Sequence, residues 1–166
     1  MSPRRSFMTQ QYDLLGEYYV ALDAKGRFRL PSGLLKGLGD RDTLKFVVNR
    51  GFDNCLILYP KPVWDKIKTV VDALNKFNRK NLAFTRLFYR GASELVPDSA
   101  DRLLLPKQLL AWAKADKNLV LNAMNDRIEI WAEAEYEELL GADEEDYSAL
   151  AEEVLGGPSA GDSLLS

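Results

Sequence analysis

The sequence predicts an α+β fold of tandem duplicated β-hairpin and helix modules, and three observations carry that prediction. The first is self-similarity: Gly16, Asp23, Arg27, Leu30, Pro31, Leu34, Leu35 and Leu44 recur 75 positions later as Gly91, Asp98, Arg102, Leu105, Pro106, Leu109, Leu110 and Leu119. Further on, Leu56-Ile57-Leu58-Tyr59 matches Ile128-Glu129-Ile130-Trp131 at an offset of 72, so the second copy lacks three loop residues. The second is a set of short aromatic and β-branched runs bounded by turn residues. The third is apolar spacing of helical period between those runs.

Within the first copy, Gly16 to Leu22 has strand composition, Ala24-Lys25-Gly26 is turn chemistry, and Arg27 to Leu30 alternates with period two. That order predicts a hairpin. Pro31 cannot continue a ladder, so Ser32 is expected to cap a short helix through Leu34, Leu35 and Leu38 that Gly39 ends. Strands over Leu44 to Val48 and Leu56 to Tyr59 flank the turn-like Gly51-Phe52-Asp53-Asn54. A helix opens near Pro62, a favoured first-turn residue, with Val63, Ile67, Val70, Val71 and Leu74 at helical spacing. Leu82, Phe84, Leu87 and Phe88 then give a helix between the copies a broad apolar face, which predicts a packed connector. The second copy repeats the order and closes with a helix over Glu135 to Leu140; Asp143 to Leu155 is a weaker acidic amphipathic segment, and Gly156 to Gly161 reads as disordered. The expected division is an arm at 1–13, a first module at 14–75, a connector helix at 76–90, a second module at 91–141 and an acidic, partly disordered tail at 142–166.

With 166 residues and 46% hydrophobic content, the chain can build one ordinary domain or two very small ones that share a core. Its lone Cys55 sits in an apolar strand pattern, which reads as a buried structural thiol. No apolar run approaches the ~18 residues that cross a bilayer, which excludes an integral membrane protein. Arg4-Arg5 superficially resembles a twin-arginine export signal, but polar Thr9-Gln10-Gln11 follows where an apolar stretch is required, so a cytoplasmic location is expected. The net charge of -3 hides a split: from Glu133 onward there are 11 acidic residues and no Lys or Arg, leaving residues 1–132 with all 22 basic and the other 14 acidic ones. The body is therefore basic and the tail is read as a solvated acidic appendage.

The repeated motif is Asp-x-x-x-Arg with Leu-Pro three residues beyond the arginine. An aspartate held against an arginine can fix the guanidinium in a bidentate pair, and a fixed guanidinium suits guanine edges or phosphates. In the first loop Asp23 stands against Lys25, Arg27 and Arg29, and Gly26 lets the backbone approach a ligand. The second has Asp98 and Asp101 against Arg102 and no glycine, so Asp101 is expected to offset the charge of Arg102 and the first loop to be the stronger contact. The plainer reading of each motif is an exposed ion pair closing a turn, which contributes little; its appearance twice with the same Leu-Pro exit weighs against that. The chain has no histidine, so it lacks an imidazole base and metal sites of the usual kind, and neither a catalytic site nor a cofactor is expected. Gly37-Leu38-Gly39 reads as a helix stop and Trp64, Trp112 and Trp131 as core.

Gly16-Glu17-Tyr18, Leu22 to Arg27 with Leu30-Pro31, Cys55 to Pro60 before Trp64, Arg86-Leu87-Phe88 before Gly91-Ala92, and Asp126 to Trp131 closely resemble the MraZ family of bacterial transcriptional regulators. These motifs span most of residues 16–140. The resemblance implies a double swapped-hairpin, AbrB-like barrel with both halves in one subunit, and subunits assembled into a ring. It also implies a nucleoid-associated protein that binds short direct repeats in the promoter of the division and cell-wall gene cluster, its own gene included. The hairpin loops of the family carry the DNA contacts, which transfers to Asp23, Lys25, Gly26 and Arg27 and to Asp98 and Arg102. The family's second loop usually has glycine where this chain has Asp101, a change that adds repulsion toward phosphate. The rival class is a ring-forming protein-interaction scaffold, favoured by the acidic overall charge and opposed by the basic first loop.

Overall fold

The computed structural model describes residues 11–143 and 146–156. The expectations for most of the N-terminal arm and for Gly157 to Gly161 lie outside the described residues. Two compact units divide at Glu133 and Ala134.

In the first unit the chain runs β1 (Leu14–Ala21), β2 (Arg27–Arg29), α1 (Ser32–Leu38), β3 (Phe46–Arg50), β4 (Leu56–Pro60), α2 (Lys61–Asp72), α3 (Arg79–Tyr89), β5 (Ser93–Leu95), β6 (Arg102–Leu104), α4 (Lys107–Trp112), β7 (Asn118–Asn125) and β8 (Arg127–Ala132). All strand pairings are antiparallel, and the mixed α+β class follows. A six-stranded sheet has the order β1-β7-β8-β4-β3-β5, and β2 pairs with β6 in a separate ribbon. Exchanging each element with its repeat leaves that order unchanged, as a duplicated sequence requires.

The pairing corrects one expectation. The arms of the Leu22 to Leu30 segment do not form a ladder with each other: β1 pairs with β7, β5 pairs with β3, and β2 pairs with β6. Each copy thus lends its first two strands to the other. Period-two alternation marks a strand but carries no record of its neighbour, which is why the exchange was invisible locally. The sheet ends at β1 and β5 and is not closed into a barrel.

Local chemistry explains most element boundaries. The β3–β4 hairpin spans five residues between Arg50 and Leu56, whereas the β7–β8 hairpin spans two between Met124 and Arg127. Those are the three residues missing from the second copy. The tighter turn places Asn125 at φ 63, a conformation asparagine tolerates. Ser32 does not cap α1, because Pro31 occupies that position and no side-chain cap bond forms; Gly39, at φ 94, ends the helix as expected. Pro62 lies in the first turn of α2, which buries Val63, Trp64 and Val71 but leaves Val70 exposed.

One core draws on both copies: Phe28 and Leu30 lie with Leu103 and Leu105, and Phe46, Leu56 and Leu58 with Leu119, Leu121 and Ile130. The connector α3 is anchored mainly at its C-terminal end. Asn49 Nδ2 donates to the Phe88 carbonyl at 2.5 Å, and Arg50 donates to the carbonyls of Leu87 at 2.7 Å and Arg90 at 3.1 Å, satisfying groups a helix end leaves open. Phe88 stacks on Trp64 with ring centroids 5.1 Å apart. Phe84 and Leu87 remain exposed, and with exposed Phe52 and Met124 they border an apolar depression floored by Ile57 and Trp112.

In the second unit, α5 (Glu133–Asp143) contains the expected closing helix, and α6 (Tyr147–Leu155) carries exposed Tyr147, Leu150 and Val154. No helix among the described residues is long and apolar enough to cross a membrane.

Candidate nucleic-acid interface

Each Asp-x-x-x-Arg segment folds into the same closed loop. In the first, the Asp23 amide donates to the Arg27 carbonyl at 2.8 Å and the Gly26 amide to the Asp23 carbonyl at 3.0 Å. The Asp23 carboxylate then closes the loop from inside: Oδ1 accepts from the amides of Lys25 and Arg27, both at 2.9 Å, and Oδ2 accepts from Arg27 Nε at 2.7 Å. The second loop repeats this bond for bond, with Asp98 accepting from the amides of Ala100 and Arg102 and from Arg102 Nε, all at 2.9 Å. Donation from the arginine amide in each loop, with the guanidinium adding to it, holds both carboxyls below the ordinary aspartate range. Both are therefore ionised at neutral pH.

The expected bidentate pair is not what forms. One carboxylate oxygen is occupied by backbone, so the arginine is held through Nε alone. Among the described residues the Nη groups of Arg27 have no hydrogen-bond partner, and the outer edge of the guanidinium is open. A fork fixed at its inner nitrogen and open at its outer pair can give two parallel N–H donors to a guanine edge or to a phosphate.

Two sequence-based assignments change, and a third gains a structural role. Gly26 has φ 86, a left-handed conformation that favours glycine, so it serves the turn as well as lining the depression beside the loop. Asp101 takes the equivalent left-handed position at φ 61, but its carboxylate pairs with Arg41 at 3.0 Å rather than offsetting Arg102. Arg29 belongs with the second loop: it lies opposite Arg102 in the ribbon, and its Nε donates to the Ala100 carbonyl at 3.1 Å. The β2–β6 register sets Arg27 against Leu104 and Arg102 against Arg29, so the two loops sit at opposite ends of one short ribbon.

Around the first loop the structure gathers residues that the sequence did not single out. Lys107 and Lys117 line a shallow depression with Asp23, Lys25 and Asp116, and the Leu22 amide donates to the Lys117 carbonyl at 2.7 Å. Both lysines belong to the second copy and reach the first loop only because the strands are exchanged.

Most of the residues expected in the core are there. Cys55 is buried, and burial, reinforced by Glu129 and Asp53, pushes its thiol up to about 12, which makes it a poor nucleophile. Trp64 and Trp131 are buried, and half-buried Trp112 lies under the Arg50 guanidinium.

The family model of the MraZ protein, whose description adds a likeness to antitoxins, matches residues 14–87 and again 88–156. A protein of Cytophaga hutchinsonii named transcriptional regulator MraZ is 39% identical over 140 residues, covering 84% of this chain and 93% of that protein. Its namesake from Christiangramia forsetii is 39% identical over 145 residues, covering 87% and 94%. A third, from Desulforamulus reducens, is 36% identical over 141 residues, covering 85% and 96%.

Proposed function

The chain belongs to the MraZ family, and from that premise we propose that it is a DNA-binding transcriptional regulator whose clamped arginines read duplex DNA. The observation that carries the reading is the open guanidinium edge of Arg27, held by Asp23 in a closed loop that recurs at Asp98 and Arg102. The finer reading is sequence-specific binding to short direct repeats upstream of a division and cell-wall gene cluster that includes its own gene. Asp23, Lys25 and Arg27 form the main contact, Gly26 shapes the loop, and Arg102, Asp98 and Arg29 make a secondary contact at the other end of the ribbon. The exchange of first and second strands between copies is, in this reading, a double swapped-hairpin arrangement. Residues 142–166 act as an acidic appendage whose charge repels DNA weakly.

The test is titration of the full chain on the duplex upstream of its own gene and on a scrambled duplex, at two salt concentrations. A specific regulator binds the first at least about 10³-fold tighter. Equal affinities would indicate a nonspecific architectural binder, and no binding of either would leave the scaffold reading.

We also propose self-association into a ring. The support is the cluster of exposed Phe52, Phe84, Leu87 and Met124, since contiguous apolar surface on a small protein marks contact sites. Light scattering at micromolar concentration is expected to give several times the 18.7 kDa of one chain. A monomer would refute the ring without touching the DNA reading.

A further inference from the structure

The two loops are copies of one motif, but the surfaces beside them have diverged. Beside the first loop, Lys25, Lys107 and Lys117 face two aspartates, Asp23 and Asp116. All three lysines are exposed, and among the described residues none of their ammonium groups has an ion-pair or hydrogen-bond partner. Beside the second, the equivalent depression holds Arg41 against Asp42, Asp98 and Asp101, and Asp101 already takes the Arg41 guanidinium at 3.0 Å. Arg29 reaches that loop too, but its Nε is given to the Ala100 carbonyl. At the 75-residue offset, Lys107 replaces Ser32, Lys117 replaces Asp42 and Asp101 replaces Gly26. Three substitutions at equivalent places therefore all move the first site toward positive charge relative to the second.

We propose that Lys107 and Lys117, supplied by the second copy, complete a phosphate-binding site around the first loop, and that the equivalent site at the second loop does not bind phosphate. The proposal rests on the DNA-binding reading and adds to it which end of the ribbon grips the backbone and with which residues. Arg27 and its clamp present a directional fork. The three lysines are point charges on flexible stems, suited to neighbouring phosphates and not to base edges. Asp116, at the rim, limits the net charge without pairing with either lysine.

The experiment compares four full-length proteins on the duplex upstream of the chain's own gene: wild type, Lys107→Ala/Lys117→Ala, Lys107→Arg/Lys117→Arg and Arg41→Ala. Each lost phosphate contact lowers the slope of log K against log salt by about 0.9, so the double alanine variant should lose about 1.8 per engaged subunit. Its preference for the specific over the scrambled duplex should persist. The double arginine variant keeps the charges and should restore the slope, which separates lost contacts from altered folding. Arg41→Ala should leave the slope at the wild-type value. A wild-type slope in the double alanine variant, or a loss of the same size in Arg41→Ala, overturns the inference while leaving DNA binding in place. Failure of the wild-type chain to bind any duplex overturns the functional reading and this inference together.

Discussion

Arg27→Ala is expected to abolish specific DNA binding while circular dichroism and oligomer size stay at their wild-type values. The side chain is held by one bond from Nε to Asp23, and the loop is closed independently by the amides of Asp23, Lys25, Gly26 and Arg27 itself. Truncation at Cβ removes the fork and leaves all four of those backbone bonds available. A base-reading arginine contributes about 1–3 kcal/mol of discrimination, and an assembly that engages several sites at once multiplies the loss through effective concentration. Arg102→Ala should do less, although not because Asp101 cancels its charge. Asp101 is committed to Arg41, and the weaker effect follows from the acidic depression beside the second loop. The measurement is side-by-side titration of both variants on specific and scrambled duplexes. Wild-type affinity and specificity in Arg27→Ala would refute the first-loop assignment, and a larger defect in Arg102→Ala would reverse the ranking of the loops.

What the sequence displayed was whatever is written locally. The closed loops follow from Asp-x-x-x-Arg because the aspartate needs only the next four residues to satisfy it. The end of α1 follows from Gly39, and the shorter second hairpin from a change of offset between two matching strands. What it concealed depends on which strand lies beside which. Arg29 looked like part of the first loop from its place in the chain, but the ribbon register carries it to the second. Lys107 and Lys117 were not singled out, since nothing within their own copy brings them to an arginine loop. Asp101 was read as a neighbour of Arg102 because they are adjacent in sequence; in the folded loop the Arg102 side chain runs back to Asp98, and the Asp101 carboxylate meets Arg41. The two misreadings and the omission share one source, the exchange of strands between the copies.

That exchange also makes the β2–β6 ribbon the place where one truncation should harm both halves at once. Phe28 is the middle residue of β2, 1% exposed, and it faces Leu103, which is fully buried, across the ribbon. Arg27 and Arg29 flank it on its own strand, and each of the two loops ends at the residue just before this pair. Removing a buried phenylalanine costs about 3–5 kcal/mol through lost burial and the cavity left behind. Against a total stability of about 5–15 kcal/mol, Phe28→Ala should weaken the folded unit severely. For a chain of this size each kcal/mol shifts the melting midpoint by about 2–4 °C, which places the variant roughly 6–20 °C below wild type. Because β1 is held by β7 and β5 by β3, neither copy can keep its sheet when the other melts, so a single transition is expected rather than two. Phe77→Ala provides the contrast: Phe77 is 99% exposed between α2 and α3 and lies outside the apolar cluster proposed for self-association, and its loss should change stability by no more than about 0.5 kcal/mol. The comparison is a pair of thermal melts followed by circular dichroism at one fixed protein concentration, since self-association would make the midpoint concentration-dependent. Two separate transitions in Phe28→Ala, with one half surviving the other, would show that the copies fold independently and that the ribbon does not join them.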